Sequence, residues 1–443
     1  MQKVSLALAA LLTLLVATTA SGATGGSTGE SRLAWNAIPI GNGLYLGGFS
    51  DLFPTSSSAN TFLAITDRGP NSDIPCRMGF TDKRFPLPNF TPEILRLVAG
   101  GRNLNVVKRI PMTFDGEPIS GRSVRMDNKN EQPYGPPGCS DPLSFDPNGI
   151  DSEAIVEDPR DGSYWVGEEY LPSVVHVSKK GELLGRVIPF GNLSMAPGPK
   201  PPLTQAFPAI VGSHFRPNRG FEGAAISPDG RWLYTLLQSA MQNPTGTSTN
   251  FSRAIRVFKI DISNAASPVV VREWVYRLDG TSTQSANRDR RISALVWAGV
   301  DKLIVEERDD MTPATAYTTL YLADFMNATN ILGTQWDLTA TSPTLEQNFL
   351  LPTATTYGPG NSCDPIGGVV PGCKYVWFNV AAALAAQGLV NGKLEGVGVV
   401  QKGHKNAFDP TADSLVAVIN DNDFNVDSAP GTEIDEKLDV FDN

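Results

Sequence analysis

The sequence is poor in histidine, with three in 443 residues, and its four cysteines include no C-x-x-C pair. Histidine is the usual general base and zinc ligand near neutral pH. Its scarcity leaves a Ser-His-Asp triad little to draw on. Without paired cysteines, a zinc cage or a thioredoxin-type dithiol lacks its ligands. No H-E-x-x-H helix, P-loop or strand–G-x-S-x-G–helix nucleophile elbow occurs. Positive charge is short as well: 36 Lys and Arg stand against 46 Asp and Glu, a formal net charge of −10. A nucleic-acid footprint needs a basic face, so that class of partner is set aside. Beyond the first residues, no apolar run approaches the roughly 20 residues that a membrane span takes.

What is present begins with an export signal. Lys3 precedes an almost wholly apolar run, Val4 to Ala17, and the small residues of TTASGA follow. This is the pattern of a secretory signal peptide over residues 1–23, with cleavage expected after Ala23. No cysteine follows the apolar run, so no lipid anchor is expected. Residues 24–443 are read as one secreted or periplasmic domain, expected to be monomeric. Cysteines pair in such compartments. Cys363 and Cys373 bracket the loop DPIGGVVPG and form one expected disulfide; Cys76–Cys139 is the other. The 42 Gly and 34 Pro suit many short strands joined by turns.

A search for self-similarity finds a repeated unit. An acid or serine with a small neighbour opens strand A, a turn such as SPDG or DPRDG follows, and strand B ends in polar residues. Strand A starts at GGFSDLF (47–53), DSEAIVE (151–157), FEGAAIS (221–227), ISALVWA (292–298) and LEGVGVV (394–400). Two more strand-like runs generally follow each pair. Four strands to a unit around a ring is the plan of an all-β propeller; five units are visible and six remain open. The longer spacings hold insertions, Pro111 to Asn148 and Thr341 to Lys393, and VAAALAAQGL in the second reads as a short helix. The last unit has two clear strands plus KLDVFD, and the N-terminal RLAWNAIPI is expected to complete it.

Strands A and B run antiparallel, and in propellers A is innermost. Acids that open A and close B therefore converge on one mouth of the central channel. They are Asp51, Glu153, Glu222 and Glu395 from A, and Asp67, Glu169, Glu307 and Asp421 from B. So many like charges raise one another's pKa. Hard cations or arginines relieve this, and Ca²⁺, which takes six to eight oxygens, is the expected ion. Asn71, Asn218, Asn420 and Asn422 are further oxygen donors, and Arg68, Arg219 and Arg308 stand close by in sequence. For any single acid a structural reading stays open: acceptance of backbone N–H groups from the next unit. Of the histidines, His176 reads as structural, His214 as a weak candidate, and His404 as facing away from the mouth.

DSEAIVEDPRDGSYWVGEEYLPSVVHVSKKGELLGRVIPFG, NRGFEGAAISPDGRWLYTLLQSA and KLEGVGVV with VAVINDNDF resemble, in this order, the phytase-like domain family, described as having esterase-like activity of phytase. The resemblance covers roughly residues 44 to 425. It implies Ca²⁺ at the acidic mouth, held by Asp67, Glu153, Glu307, Glu395 and Asp421, and hydrolysis of a phosphate monoester. Glu169 and Glu222 are then the expected bases, and Arg68, Arg219 and Arg308 the anion-stabilising groups. Two departures stand out: Gln238 occupies an acid's place in the third unit and Ser293 in the fourth. The lack of a dense lysine and arginine cluster favours a simpler, still anionic, ester over phytate. Two alternatives stay open: a Ca²⁺-dependent carboxylesterase or lactonase, and a non-catalytic extracellular binding protein.

Overall fold

The computed structural model describes residues 27–55, 60–126, 131–191, 193–279, 290–309, 317–338, 340–350, 363–401 and 408–443. The expected signal-peptide segment, its expected cleavage site and His404 lie outside the described residues.

Strands make up most of the regular structure of the described residues, organised in consecutive four-stranded antiparallel units. The first is Phe49–Pro54, Thr61–Thr66, Glu93–Gly100 and Asn103–Pro111. The second is Ser152–Glu157, Tyr164–Glu168, Ser173–Val177 and Leu183–Pro189, with Leu203–Phe207 added in parallel at its outer edge. Phe221–Ile226, Trp232–Leu237, Ala254–Asp261 and Val269–Arg277 make the third. The fourth is Arg291–Gly299, Lys302–Arg308, Thr318–Asp324 and Cys373–Phe378. Leu394–Gln401, Ser414–Asn420 and Glu436–Asp442 follow, and Ser27–Leu33 supplies the outermost strand of that unit.

The inner strands contact one another in a closed circuit, first to second to third to fourth to fifth and back to the first. An apolar cluster fills each gap. Ile65, Ile155 and Val166 pack between the first and second units, and Trp165, Phe221 and Phe258 between the second and third. Tyr234, Ile292 and Val305 fill the third gap, and Leu320, Phe378 and Val416 the fourth. Leu52, Phe62 and Ile419 close the circuit. Alternation along each strand thus buries both sheet faces, one against each neighbour, which explains why these strands read as nearly continuous apolar runs. This is the propeller plan: sheets stacked face to face around an axis.

Both chain ends build the closing sheet, as expected, but the N-terminal strand is Ser27–Leu33 rather than RLAWNAIPI, in register from Leu33 opposite Glu436. The physical reason is the Gly41–Gly43 turn, which folds Pro39–Gly41 onto Leu44–Tyr45 as a separate two-stranded ribbon. The Thr341–Lys393 stretch is only partly an insertion, since Cys373–Phe378 is the outer strand of the fourth unit. VAAALAAQGL does form a helix, Val380–Ala386, capped by Asn379. Among the described residues the 111–148 insertion forms short ribbons, Thr113–Phe114 with Glu117–Pro118 and Pro133–Tyr134 beside Asp82–Arg84, and no further four-stranded sheet. Both disulfides are Cys76–Cys139 and Cys363–Cys373, with no free cysteine. No helix among the described residues is long and apolar enough to cross a membrane.

Candidate functional site

Strand register, rather than residue type, defines the mouth. In every unit strand A carries one extra residue against strand B, a bulge directly after the first paired residue in four units and after the second, Ile292, in the fourth. That residue is Ser50, Glu153, Glu222 or Glu395 in four units, and falls at Ser293–Ala294 in the remaining one. Bulges re-aim side chains, and these five turn the same position of each unit toward the axis. The strand B residues paired next to the bulge are Thr66, Glu168, Leu237, Glu307 and Asn420. One residue further on stand Asp67, Glu169, Gln238, Arg308 and Asp421. These two sets are the rim of the channel.

The position after the bulge is small in most units, because the inner strands lie close. A Cβ on Gly396 would sit 2.7 Å from the Leu52 nitrogen, and one on Gly223 would sit 2.9 Å from Leu295 Cγ.

The rim divides into three groups. On one side Asp151, Glu153 and Glu169 each bring a carboxylate oxygen within 4.8 Å of the others, and all three are buried. Arg68 borders this group: its Nη2 is 2.7 Å from Asp151 Oδ2 and 3.5 Å from Glu169 Oε2, and donates to Asn218 Oδ1 at 2.6 Å. Its Nη1 reaches Glu131 Oε1 of the insertion at 3.2 Å, and its guanidinium lies over the Tyr170 ring. Arg219 Nη1 stands 3.8 Å from Glu169 Oε1. On the opposite side Arg308 Nη2 is ion-paired with Glu395 and lies 3.9 Å from Glu222 Oε1, while its Nε donates to Ser293 Oγ. Gln238 Nε2 also donates to Glu222 Oε1, but Glu222 Oε2 has no hydrogen-bond partner among the described residues. In the third group Lys393 Nζ is ion-paired with Asp421 and Asp423. These three line a cavity of about 880 Å³, together with Asn71, Asp73 and Lys83.

The physical consequence is a set of carboxylates held neutral more easily than usual. Burial, then repulsion from Asp151, pushes Glu169 up to about 7. Burial first, with Asp151 and Glu222 next, holds Glu153 well above the ordinary range. Glu222 is raised likewise by burial and by Glu169, and Asp67 by burial and by Asp421. Burial raises Asp151 too, against the opposing pull of Arg68. Burial and mutual repulsion act in the same direction, as they do where like charges share a dry site.

Most of the residues singled out from sequence are brought together here: Asp67, Arg68, Glu153, Glu169, Arg219, Glu222, Arg308, Glu395 and Asp421. Two are not. Glu307 pairs opposite Ile292, so its side chain leaves the axis. It accepts from Tyr276 Oη at 2.6 Å and is ion-paired with the buried Lys374. Arg308, one residue on, occupies the rim. Asp51 stands one residue past the bulge that Ser50 occupies. Its carboxylate accepts the N–H of Ile155, in the next unit, and of Leu52, each at 2.7 Å, which is the structural tie between neighbouring units. Asn422 is another such tie, accepting from Gly48 N.

His176 stacks on Trp165 with ring centroids 4.3 Å apart and bonds Ser163. His214 has Glu346 and Arg256 as charged neighbours and none of the rim acids. Sequence reasoning passed over Asp151, Glu131 and Lys393. Asp151 and Lys393 were within the quoted repeats, directly before strand A, and that adjacency was the available signal. Glu131 comes from the insertion, where no repeat pointed to it.

Fold and site together define a propeller-type protein with a buried acidic mouth rimmed by a few internal cations. The chain belongs to the phytase-like family, described as having esterase-like activity of phytase, whose model matches residues 45–424. An uncharacterized secreted protein of Arthroderma benhamiae is 34% identical over 140 residues, which is 29% of this chain and 27% of that one. The match thus spans little more than a quarter of that relative's length. Among solved structures, a PQQ-bound aldose sugar dehydrogenase from Streptomyces coelicolor aligns over 95% of this chain and 96% of its own, at 11% identity and a TM-score of 0.27. A periplasmic gluconolactonase of Pseudomonas aeruginosa aligns over 63% and 69%, at 12% identity and a TM-score of 0.28.

Proposed function

We propose that this protein is an exported, metal-dependent ester hydrolase whose rim binds a divalent cation, with Ca²⁺ the best match. The convergence of Asp151, Glu153 and Glu169 carries this reading. Their donors are all carboxylate oxygens, with no thiol or imidazole among them, which suits a hard cation. Their burial makes an uncompensated charge costly. Asp67, Glu395 and Asp421 belong to the same rim and contribute to its field, whereas Glu307 is left out of the ligand set. Each four-stranded unit is read as one blade, giving five blades.

When bound, Ca²⁺ supplies a Lewis acid that polarises an ester oxygen and acidifies a water. Asp151, Glu153 and Glu169 hold the ion. Glu222, with Oε2 free of any described protein partner, accepts the proton of the attacking water. Arg219, whose side chain is 20% exposed, is placed to meet an anionic substrate oxygen. Arg68 and Arg308 are almost fully enclosed and already engaged by carboxylates, so we assign them to positioning those groups.

Phosphate monoesters are the first substrate class to try. The engagement of two of the three rim arginines favours a modestly charged ester, and keeps a carboxylic ester or lactone as the second reading. The experiment is a paired screen, p-nitrophenyl phosphate against p-nitrophenyl acetate and a γ-lactone, with Ca²⁺ or with EGTA. Ca²⁺-dependent turnover that Glu222→Gln abolishes supports hydrolysis. Ca²⁺ binding without turnover of any ester would make the protein a binding module.

A further inference from the structure

We propose that the rim takes a single divalent ion, beside Asp151, Glu153 and Glu169, and that Arg308 stands where a second ion would otherwise sit. This rests on the metal reading above and adds to it the stoichiometry and the reason for it.

The fourth unit is the one in which strand B ends on Arg308 in place of an acid or amide, and its bulge carries Ser293 where the second, third and fifth units carry a glutamate and the first carries Ser50. The two changes fit each other. Arg308 Nε takes Ser293 Oγ as acceptor at 2.5 Å, so the short side chain makes room for the guanidinium. The Nη2 end then spans the units on either side, pairing with Glu395 of the fifth and standing 3.9 Å from Glu222 of the third. Bridging two carboxylates from different blades is what a cation in the channel would do. The guanidinium does it permanently, with its side chain 1% exposed.

This side is thereby filled. Glu222 Oε1 has Gln238, Ser293 and Arg308 around it, and a buried positive charge repels a divalent ion brought within a few ångströms. The Asp151 side differs. Three carboxylates meet there; the bordering Arg68, 2.7 Å from Asp151 and 3.5 Å from Glu169, is shared with Glu131 and Asn218, and Arg219 stands 3.8 Å from Glu169 without bridging the other two. Carboxylate oxygens of three residues already converge at that group with no guanidinium bridging all of them, so that is where the ion goes.

The test is isothermal titration with CaCl₂ of EGTA-stripped, dialysed protein, with calcium content checked by mass spectrometry. The wild type is expected to bind one Ca²⁺ per chain. Arg308→Gln leaves Glu222 without its counter-charge and Glu395 with Lys393 alone, 3.9 Å away, and is expected to bind two. Arg308→Lys, which keeps the charge, stays at one. Arg308→Gln that folds only when Ca²⁺ is supplied, and then holds two ions, gives the same support. Two or more ions in the wild type, or one in Arg308→Gln, overturns the proposal while leaving the metal centre intact. So does an Arg308→Gln variant that fails to fold in excess Ca²⁺, since the second ion should replace the guanidinium. No binding by the wild type overturns the metal reading itself, a separate result.

Discussion

Replacing Asp51 by alanine separates the two kinds of buried acid in this ring. Its two oxygens accept the N–H groups of Leu52 and of Ile155. Alanine leaves both donors buried without an acceptor, at about 1–3 kcal/mol each, so the loss is about 2–6 kcal/mol. An unfolding entropy of about 2.1 cal/mol/K per residue gives about 0.9 kcal/mol/K for a chain of 443 residues. The midpoint should therefore fall by about 2–7 °C. The fall is expected to be equal in EGTA and in excess Ca²⁺, because Asp51 ties blades and holds no ion. Glu153→Ala is the contrast: it removes a repelled, desolvated carboxylate, so its midpoint in EGTA holds or rises while the Ca²⁺-dependent increment shrinks. Differential scanning fluorimetry of both variants, with and without Ca²⁺, decides between them. An Asp51→Ala protein with an unchanged midpoint in EGTA and no response to Ca²⁺ would refute the assignment and make Asp51 a ligand.

Further outcomes follow from the same geometry. The metal-free protein should lose stability as pH rises from about 4.5 to about 7. Glu169 is raised to about 7 in the fold, so its contribution is fully present below the unfolded value and lost as pH climbs through the folded one. Ca²⁺ should flatten that slope, as thermal scans in EGTA and in Ca²⁺ across this range will show. Gly396→Ala places a methyl 2.7 Å from the Leu52 nitrogen and should cost about 1–3 kcal/mol by urea titration, independent of Ca²⁺. Joint replacement of Cys76 and Cys139 by serine opens a link between residues 63 apart in sequence and should cost about 2–4 kcal/mol. It also frees the insertion that carries Glu131 to Arg68, so Ca²⁺ affinity by titration should change with it.

The repeat, the closure by both chain ends, the Cys363–Cys373 disulfide and the short helix were legible because each leaves a local mark: turn residues, strand-length apolar runs, loop-bracketing cysteines; Cys76–Cys139, 63 residues apart, followed as the pair that remained. The acids of the mouth were legible as a set, since a repeated position in a ring faces the axis. What strings of letters do not carry is the bulge. GGFSDLF aligns naturally on its acid, yet the extra residue is Ser50, and that single step turns Asp51 onto the neighbouring blade. LIVEERDDM likewise offers Glu307, while pairing with Ile292 puts Arg308 on the rim. Period-two alternation makes a one-residue slip a change of face, so the distinction was available only from register. Asp151 and Glu131 join the site through chain crossing, from a loop before a strand and from an insertion, and no periodicity announces either.

Whether the Asp151–Glu153–Glu169 group binds a divalent cation is read from the thermal midpoint of EGTA-stripped protein titrated with Ca²⁺. A ligand of the folded state adds about 2.7 kcal/mol at a hundredfold excess over its dissociation constant, about 3 °C for a chain of this size. A rise of that order is expected in the wild type, and its loss in Glu153→Gln/Glu169→Gln. A midpoint indifferent to Ca²⁺ in the wild type, with no metal retained on purification, would contradict it.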